Sequence, residues 1–134
     1  MAEGSASGRE GLERVIEDLQ TLSEEIATAA VLSEDGKLMA STLPSGVDRE
    51  RYAAMLAALA DLAGKTAREN GRDRFAQARI REEAGSVLLV GLEAGGTLAA
   101  TTDPDARVGL VLYDMRNVRR ELDKVLGSRE GRRP

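Results

Sequence analysis

Apolar residues recur at helical spacing in three parts of the chain. Over residues 12–22 they return every three or four positions, with acidic residues on the opposite side, which predicts an amphipathic helix. A longer helix is predicted over residues 48–70, because Asp48 is a residue type that caps helices and Gly71 is one that ends them. Residues 108–125 carry a third apolar stripe. Three helices are therefore expected.

Five short segments have the pattern of β-strands. Asp35-Gly36 between the first two segments is a strong hairpin signal. The third segment alternates small or apolar side chains with polar ones, as expected of a strand with one solvent-exposed face. The fourth is uniformly apolar, so it needs cover on both faces of a sheet and is predicted to be central. The strands are predicted at residues 26–32, 38–42, 74–82, 87–90 and 97–102.

The predicted order of elements is αββαβββα, and it indicates the fold class. Short connections favour antiparallel pairing of neighbouring strands, and a strand covered on both faces needs helices on both sides of the sheet. We therefore expect an α+β fold, a three-layer α/β/α sandwich around a five-stranded antiparallel sheet. A chain of 134 residues fits one domain, predicted over residues 9–127 with flexible termini at 1–8 and 128–134.

Composition excludes several classes of function. The chain has no cysteine and no histidine, which excludes thiol nucleophiles, histidine triads and Cys/His zinc sites. Aromatic residues make up 2% of the chain and the net charge is −4, so neither base stacking nor nucleic-acid binding is expected. No apolar run is long enough to span a bilayer, and the first residues lack a secretory pattern. We predict a cytoplasmic protein with no nucleic acid or membrane insertion.

Gly64-Lys65-Thr66 imitates the end of a phosphate-binding loop. The full motif needs glycine where Leu59 stands, and it must follow a strand, whereas this segment lies in helical sequence. Lys65 is more simply explained as the i+4 ion-pair partner of Asp61. We predict no phosphate loop here.

The remaining polar motifs also lack a catalytic arrangement. Asp103 and Asp105 form a close carboxylate pair, but carboxylates flanking a proline before a helix are usually turn formers and caps. Hydroxyls at strand ends have no base to activate them; these are Ser41, Thr42, Thr101 and Thr102. We expect no catalytic residue, cofactor or metal, and therefore no enzyme.

Two features point to self-association. The second helix is rich in alanine, which allows a close approach by another backbone or only reflects helix propensity. The third strand exposes an edge, which a protein either guards with charges such as Arg79 and Arg81 or pairs with another strand. We favour a homodimer that continues the sheet over a guarded monomer.

The whole pattern resembles the Roadblock/LC7 domain family. The resemblance rests on the order of elements, the hairpin at residues 30–38, the alanine-rich second helix, and the segments 86–92 and 103–110. It covers about residues 9–127. It implies a profilin-like fold in a noncatalytic module that dimerises through the second helix and third strand. In its short length and its arginine- and alanine-rich sequence, the chain resembles the stand-alone prokaryotic, bacterial members.

Members of this family regulate or scaffold Ras-like small GTPases, as in bacterial motility and polarity regulators, or serve in dynein and signalling complexes. Transferred to this chain, the dimer contacts are Met55, Leu56, Leu59, Leu62, Phe75, Gln77 and Arg79. The exposed residues facing the GTPase are Arg51, Ala54, Ala58, Asp61, Lys65 and Arg68. The resemblance thus implies a homodimeric GTPase regulator, of activating or effector type. The alternative is an interaction scaffold without effect on GTP hydrolysis.

Overall fold

The computed structural model describes the backbone of residues 2–131 and the side chains of residues 8–127. The elements follow the predicted order. The helices are α1 (Ala2–Leu22), α2 (Arg49–Glu69) and α3 (Val108–Gly131). The strands are β1 (Ile26–Leu32), β2 (Leu38–Ser41), β3 (Gln77–Glu82), β4 (Gly85–Gly91) and β5 (Thr97–Thr102).

The five strands form one antiparallel sheet in the order β2-β1-β5-β4-β3. The hairpin β1–β2 and the meander β3–β4–β5 are joined by the pairing of β1 with β5, which are distant in sequence. Strand β4 is interior and buried along nearly its whole length, as predicted from its apolar run. The middle strand, however, is β5. The prediction that the fourth strand is central is therefore wrong, and β4 lies next to the middle strand.

The helices cover the two faces of the sheet unequally. The larger core lies under α1 and α3, with Ile16 and Met115 among its fully buried side chains. The smaller core lies under α2 and includes Leu56, Leu32 and Leu89. The structure therefore confirms the three-layer α/β/α sandwich, with one helix on one face and two on the other.

The bounds of several predicted elements differ from those in the structure. The third strand begins at Gln77 rather than at residue 74, because the chain returning from α2 first meets β4 through a single bond from the Gly91 amide to the Ala76 carbonyl (3.0 Å). Helices α1 and α3 extend outward to Ala2 and Gly131, into the segments predicted to be flexible ends. Met1 and residues 132–134 lie outside the described residues.

The β1–β2 hairpin is closed as the Asp-Gly signal predicts. The Ser33 amide donates to the Lys37 carbonyl (2.8 Å), and Gly36 adopts a φ of 85°, a conformation that favours glycine. The same turn packs on α2, since a Cβ on Gly36 would lie 3.1 Å from the Ala57 methyl group. This contact defines which flank of α2 faces β1 and β2.

Candidate interaction surface on helix α2 and strand β3

Helix α2 begins and ends where the sequence predicts. The Asp48 carboxylate accepts a hydrogen bond from the Arg51 amide (3.2 Å), which caps the first turn. At the other end the amides of Asn70 and Gly71 bond to carbonyls of the last turn, and Gly71 has a φ of 78°. Helix α2 is therefore capped at both ends and spans 21 residues on one face of the sheet.

The inner side of α2 is narrow. Leu56 is 0% exposed and packs in the smaller core, where Tyr52 and Leu59 are partly buried beside it. Burial raises the pKa of the Tyr52 hydroxyl, while its hydrogen bonds to Thr28 and Thr101 oppose that rise. Because Leu56 lies inside the protein's own core, its side chain has no surface to offer a partner. This corrects its assignment to the dimer interface.

Two large apolar residues of α2 face outward instead. Met55 is 41% exposed and Leu62 is 62% exposed, and a separation of seven residues puts them on the same side of the helix. At 100° per residue, that side is nearly opposite Ala57, which faces the β1–β2 turn. Met55 and Leu62 therefore lie on the flank of α2 that faces away from the β1–β2 turn.

Strand β3 carries an exposed apolar residue on the same side of the sheet as α2. Ile80 is 38% exposed, and it pairs with Val87 of β4, whose side chain belongs to the core under α2. Ile80 therefore lies on the same face of the sheet as α2. We call Met55, Leu62 and Ile80 the apolar strip. Ile80 is not among the predicted interface residues, although the alternation in its own strand places it on the apolar face.

The three residues proposed at the third strand are not arranged as predicted. Phe75 precedes β3 and is partly buried in the core under α2. Gln77 and Arg79 pair with Val90 and Leu88, which face α1 and α3, so their side chains point away from α2. The Arg116 guanidinium donates to the Gln77 side-chain carbonyl (2.8 Å). On the side of α2, Gln77 and Arg79 can therefore offer a partner the backbone of the edge strand but not their side chains.

That edge is open in the described part of the chain. There β3 pairs with β4 alone, so the outer backbone amides and carbonyls of Gln77–Glu82 have no strand beside them. An exposed edge of six residues is a template for pairing with another strand. Strand β3 thus carries both the open edge and Ile80 of the apolar strip.

The residues predicted to face a GTPase share the outer side of α2. All six are exposed, as expected: Arg51, Ala54, Ala58, Asp61, Lys65 and Arg68. The predicted i+4 ion pair is present, with 2.9 Å between the Lys65 ammonium and the Asp61 carboxylate. Both of its members are more than half exposed, so this pair contributes little to stability. Their charges remain accessible to a partner.

A groove borders the other flank of α2. Its volume is about 920 Å³, and it lies between α2, the β1–β2 turn, the β4–β5 turn and residues 73–75, which precede β3. Three of the six exposed candidates line it, namely Ala58, Asp61 and Arg68. The predicted partner surface thus continues from the helix into a groove bounded by two turns.

The sequence motifs that imitate catalytic sites have structural roles. Gly64-Lys65-Thr66 lies inside α2 and does not follow a strand, so its amides are bonded within the helix. Asp103 forms a turn in which its carbonyl accepts from the Ala106 amide (3.2 Å), and Asp105 is exposed in the same turn. In the described residues, no three acidic side chains are grouped closely enough to hold a metal ion. None of the described helices has the length and apolar character needed to cross a membrane.

Comparison with known proteins agrees with this architecture. The Roadblock/LC7 domain profile matches residues 13–102. The uncharacterized protein MJ0310 of Methanocaldococcus jannaschii is 36% identical over 115 residues, which cover 85% of this chain and 96% of that protein. Among solved structures, Myxococcus xanthus MglB has a TM-score of 0.80 at 18% identity, with 90% of this chain and 91% of that chain covered.

A second structure, of MglB in a tetrameric arrangement, has a TM-score of 0.78 at 18% identity and covers 91% of this chain and 92% of that chain. At these identities the structural matches establish the fold, whereas the profile and the archaeal relative establish descent. The chain belongs to the Roadblock/LC7 domain family.

Proposed function

We propose that this protein is a noncatalytic module that forms a homodimer through α2 and β3 and binds a Ras-like small GTPase with the outer side of α2. The observation that carries the dimer is the open β3 edge together with exposed apolar residues on α2 and on the face of β3 that α2 covers. Antiparallel pairing of β3 with its copy would extend the sheet across a twofold axis and cover both strips. The side chains of Arg79 and Arg81 lie on the other face of the sheet and leave the strip uncovered.

The dimer is tested by sedimentation of charged variants. Ile80→Asp and Leu62→Asp place a carboxylate in the apolar strip, and each is expected to shift the protein to monomer mass. Leu110→Asp is the matched control, because Leu110 is 48% exposed on α3 in the opposite layer. Dimer mass that persists in both strip variants would refute this interface.

These variants replace the change that the sequence alone suggests. Because Phe75 is among the dimer contacts that the family resemblance implies, Phe75→Asp is the obvious way to place a charge at the strand edge. Because Phe75 is partly buried in the core under α2, that substitution also damages the fold. A loss of dimer in Phe75→Asp would therefore not distinguish an interface effect from unfolding.

Family membership and the exposed face of α2 support the GTPase as partner. The test is capture of small GTPases by the purified protein in excess GDP and in a non-hydrolysable GTP analogue. Differential retention requires a difference in affinity between the two states of the GTPase. Lys65→Glu and Arg68→Glu are expected to weaken capture, while Lys124→Glu, an exposed charge on α3, is expected to leave it unchanged.

The hydrolysis rate of a retained GTPase then defines the type of regulator. Faster hydrolysis in the presence of the protein identifies an activating module, and an unchanged rate with GTP-dependent binding identifies an effector-type module. Partners that are retained equally in both nucleotide states would contradict the regulator and favour a scaffold.

A further inference from the structure

The core under α2 is apolar. Leu56 is the fully buried residue that α2 contributes, and the strands below it present Ala30, Leu32, Leu89 and Ala99 to the same core. Apolar contact is not directional, whereas a hydrogen bond is. Tyr52 adds such a directional contact between α2 and the sheet.

A chain of three hydroxyl groups lies under the first half of α2. The register between β1 and β5 shifts between Ile26 and Thr28, so that Thr28 pairs with Thr101 while Ile26 pairs with Thr102. Such a bulge redirects the side chains that follow it. The Thr28 and Thr101 hydroxyl oxygens lie 2.6 Å apart, and the Tyr52 hydroxyl oxygen lies 2.8 Å from that of Thr28. The chain thus connects two strands to the first turn of α2.

We infer that Tyr52 is a positioning residue: its hydroxyl, held by Thr28 and Thr101, fixes the rotation of α2 and thereby the direction of the apolar strip. This inference rests on the proposed function. Hydrogen bonds weaken steeply when their geometry is distorted, unlike apolar contacts. Met55 follows Tyr52 by three residues on the same helix, so a rotation of α2 that breaks the hydroxyl contact also changes the direction of Met55.

The test compares Tyr52→Phe with Ile16→Val in the full chain. Tyr52→Phe removes one oxygen atom and leaves Thr28 and Thr101 bonded to each other, so no buried hydroxyl loses its last partner. Ile16→Val removes one methylene group from the other core, where Ile16 is 0% exposed, and controls for a general loss of stability. Both variants are expected to fold, because each keeps the shape of the side chain.

Amide hydrogen exchange reports how readily α2 opens, and therefore how strongly the hydroxyl chain holds it on the sheet. In Tyr52→Phe the amides in the first half of α2 are expected to exchange about twofold to tenfold faster relative to those of β4, as the loss of one hydrogen bond predicts. Thr28→Val is expected to have the same effect, and the double variant no more than either single variant. In Ile16→Val the ratio between α2 and β4 is expected to stay unchanged. An unchanged ratio in Tyr52→Phe would overturn the positioning role.

Self-association is then measured in the same variants under conditions in which all are folded. Tyr52→Phe is expected to weaken association about twofold to tenfold, and Ile16→Val to leave it unchanged, because a purely structural loss does not alter affinity in a folded population. If the original protein associates and Tyr52→Phe associates equally well, the link between Tyr52 and the strip is refuted. If the original protein is monomeric, the proposed dimer fails, and hydrogen exchange alone decides the role of Tyr52.

Discussion

Replacement of Leu56 by alanine tests how α2 is held on the sheet. Leu56 is 0% exposed, so Leu56→Ala removes a fully buried side chain and leaves a cavity. Such changes cost about 2 to 5 kcal/mol, the larger values where the surroundings cannot relax. The small residues Ala30 and Ala99 on the rigid sheet cannot fill the space. We therefore expect a loss of about 3 to 5 kcal/mol in the free energy of unfolding.

Leu62→Ala is the matched control on the same helix, because Leu62 is 62% exposed. It removes the same atoms, and from a monomer it should cost less than about 1 kcal/mol. Urea unfolding followed by circular dichroism, at two protein concentrations, measures both variants. The cost of Leu56→Ala should be present at either concentration, whereas a cost of Leu62→Ala that grows with concentration would report dimer contacts. If Leu56→Ala costs no more than Leu62→Ala, the assignment of inner and outer sides of α2 is wrong.

Three further predictions concern caps, turns and charges. The Arg107 side chain and amide donate to the Glu25 carboxylate and lower its pKa below 4.5, so this contact stabilises the fold above that value and is lost as the pH falls through the lowered pKa. Glu25→Gln should therefore be less stable than the original protein at pH 7 and equally stable in strong acid, as measured by thermal unfolding; an equal difference at both pH values would contradict this contact. Gly85→Ala should destabilise the protein severely, because Gly85 has a φ of 146° and a Cβ there would lie 1.7 Å from the Thr102 carbonyl oxygen of β5. The control Gly127→Ala lies in open space on α3 and should stabilise the protein by about 0.5 to 1 kcal/mol. Asp48→Ala should cost about 1 kcal/mol and Asp48→Asn much less in the same assay, because asparagine also caps helices, and equal losses would argue against the cap.

Local patterns in the sequence determined the elements and the class of fold. Asp48 and Gly71 predicted both ends of α2, because capping depends on residues within one helical turn. The Asp35-Gly36 turn predicted the first hairpin, since a tight turn needs a residue that tolerates positive φ. The apolar run of β4 predicted burial on both faces. The same patterns supported the family, which the comparison confirmed.

The candidate site was predicted less completely. Periodicity put Tyr52, Met55, Leu56, Leu59 and Leu62 in one wide apolar arc, but it could not divide that arc into a buried and an exposed part. The six polar or small residues proposed to face a partner are all exposed, because residues outside the arc have no core to enter. Their role in binding stays a prediction, as does the dimer.

Only the tertiary structure decided how α2 is rotated and what lies beside it. The core between α2 and the sheet admits Leu56 and leaves Met55 and Leu62 outside, and this selection depends on strands that pair across long sequence distances. The position of β3 at the edge, which makes Ile80 part of the exposed surface, follows from the same long-range pairing of β1 with β5. A sequence pattern specifies which residues share a face of an element, whereas the shape of the neighbouring surface specifies which part of that face is covered.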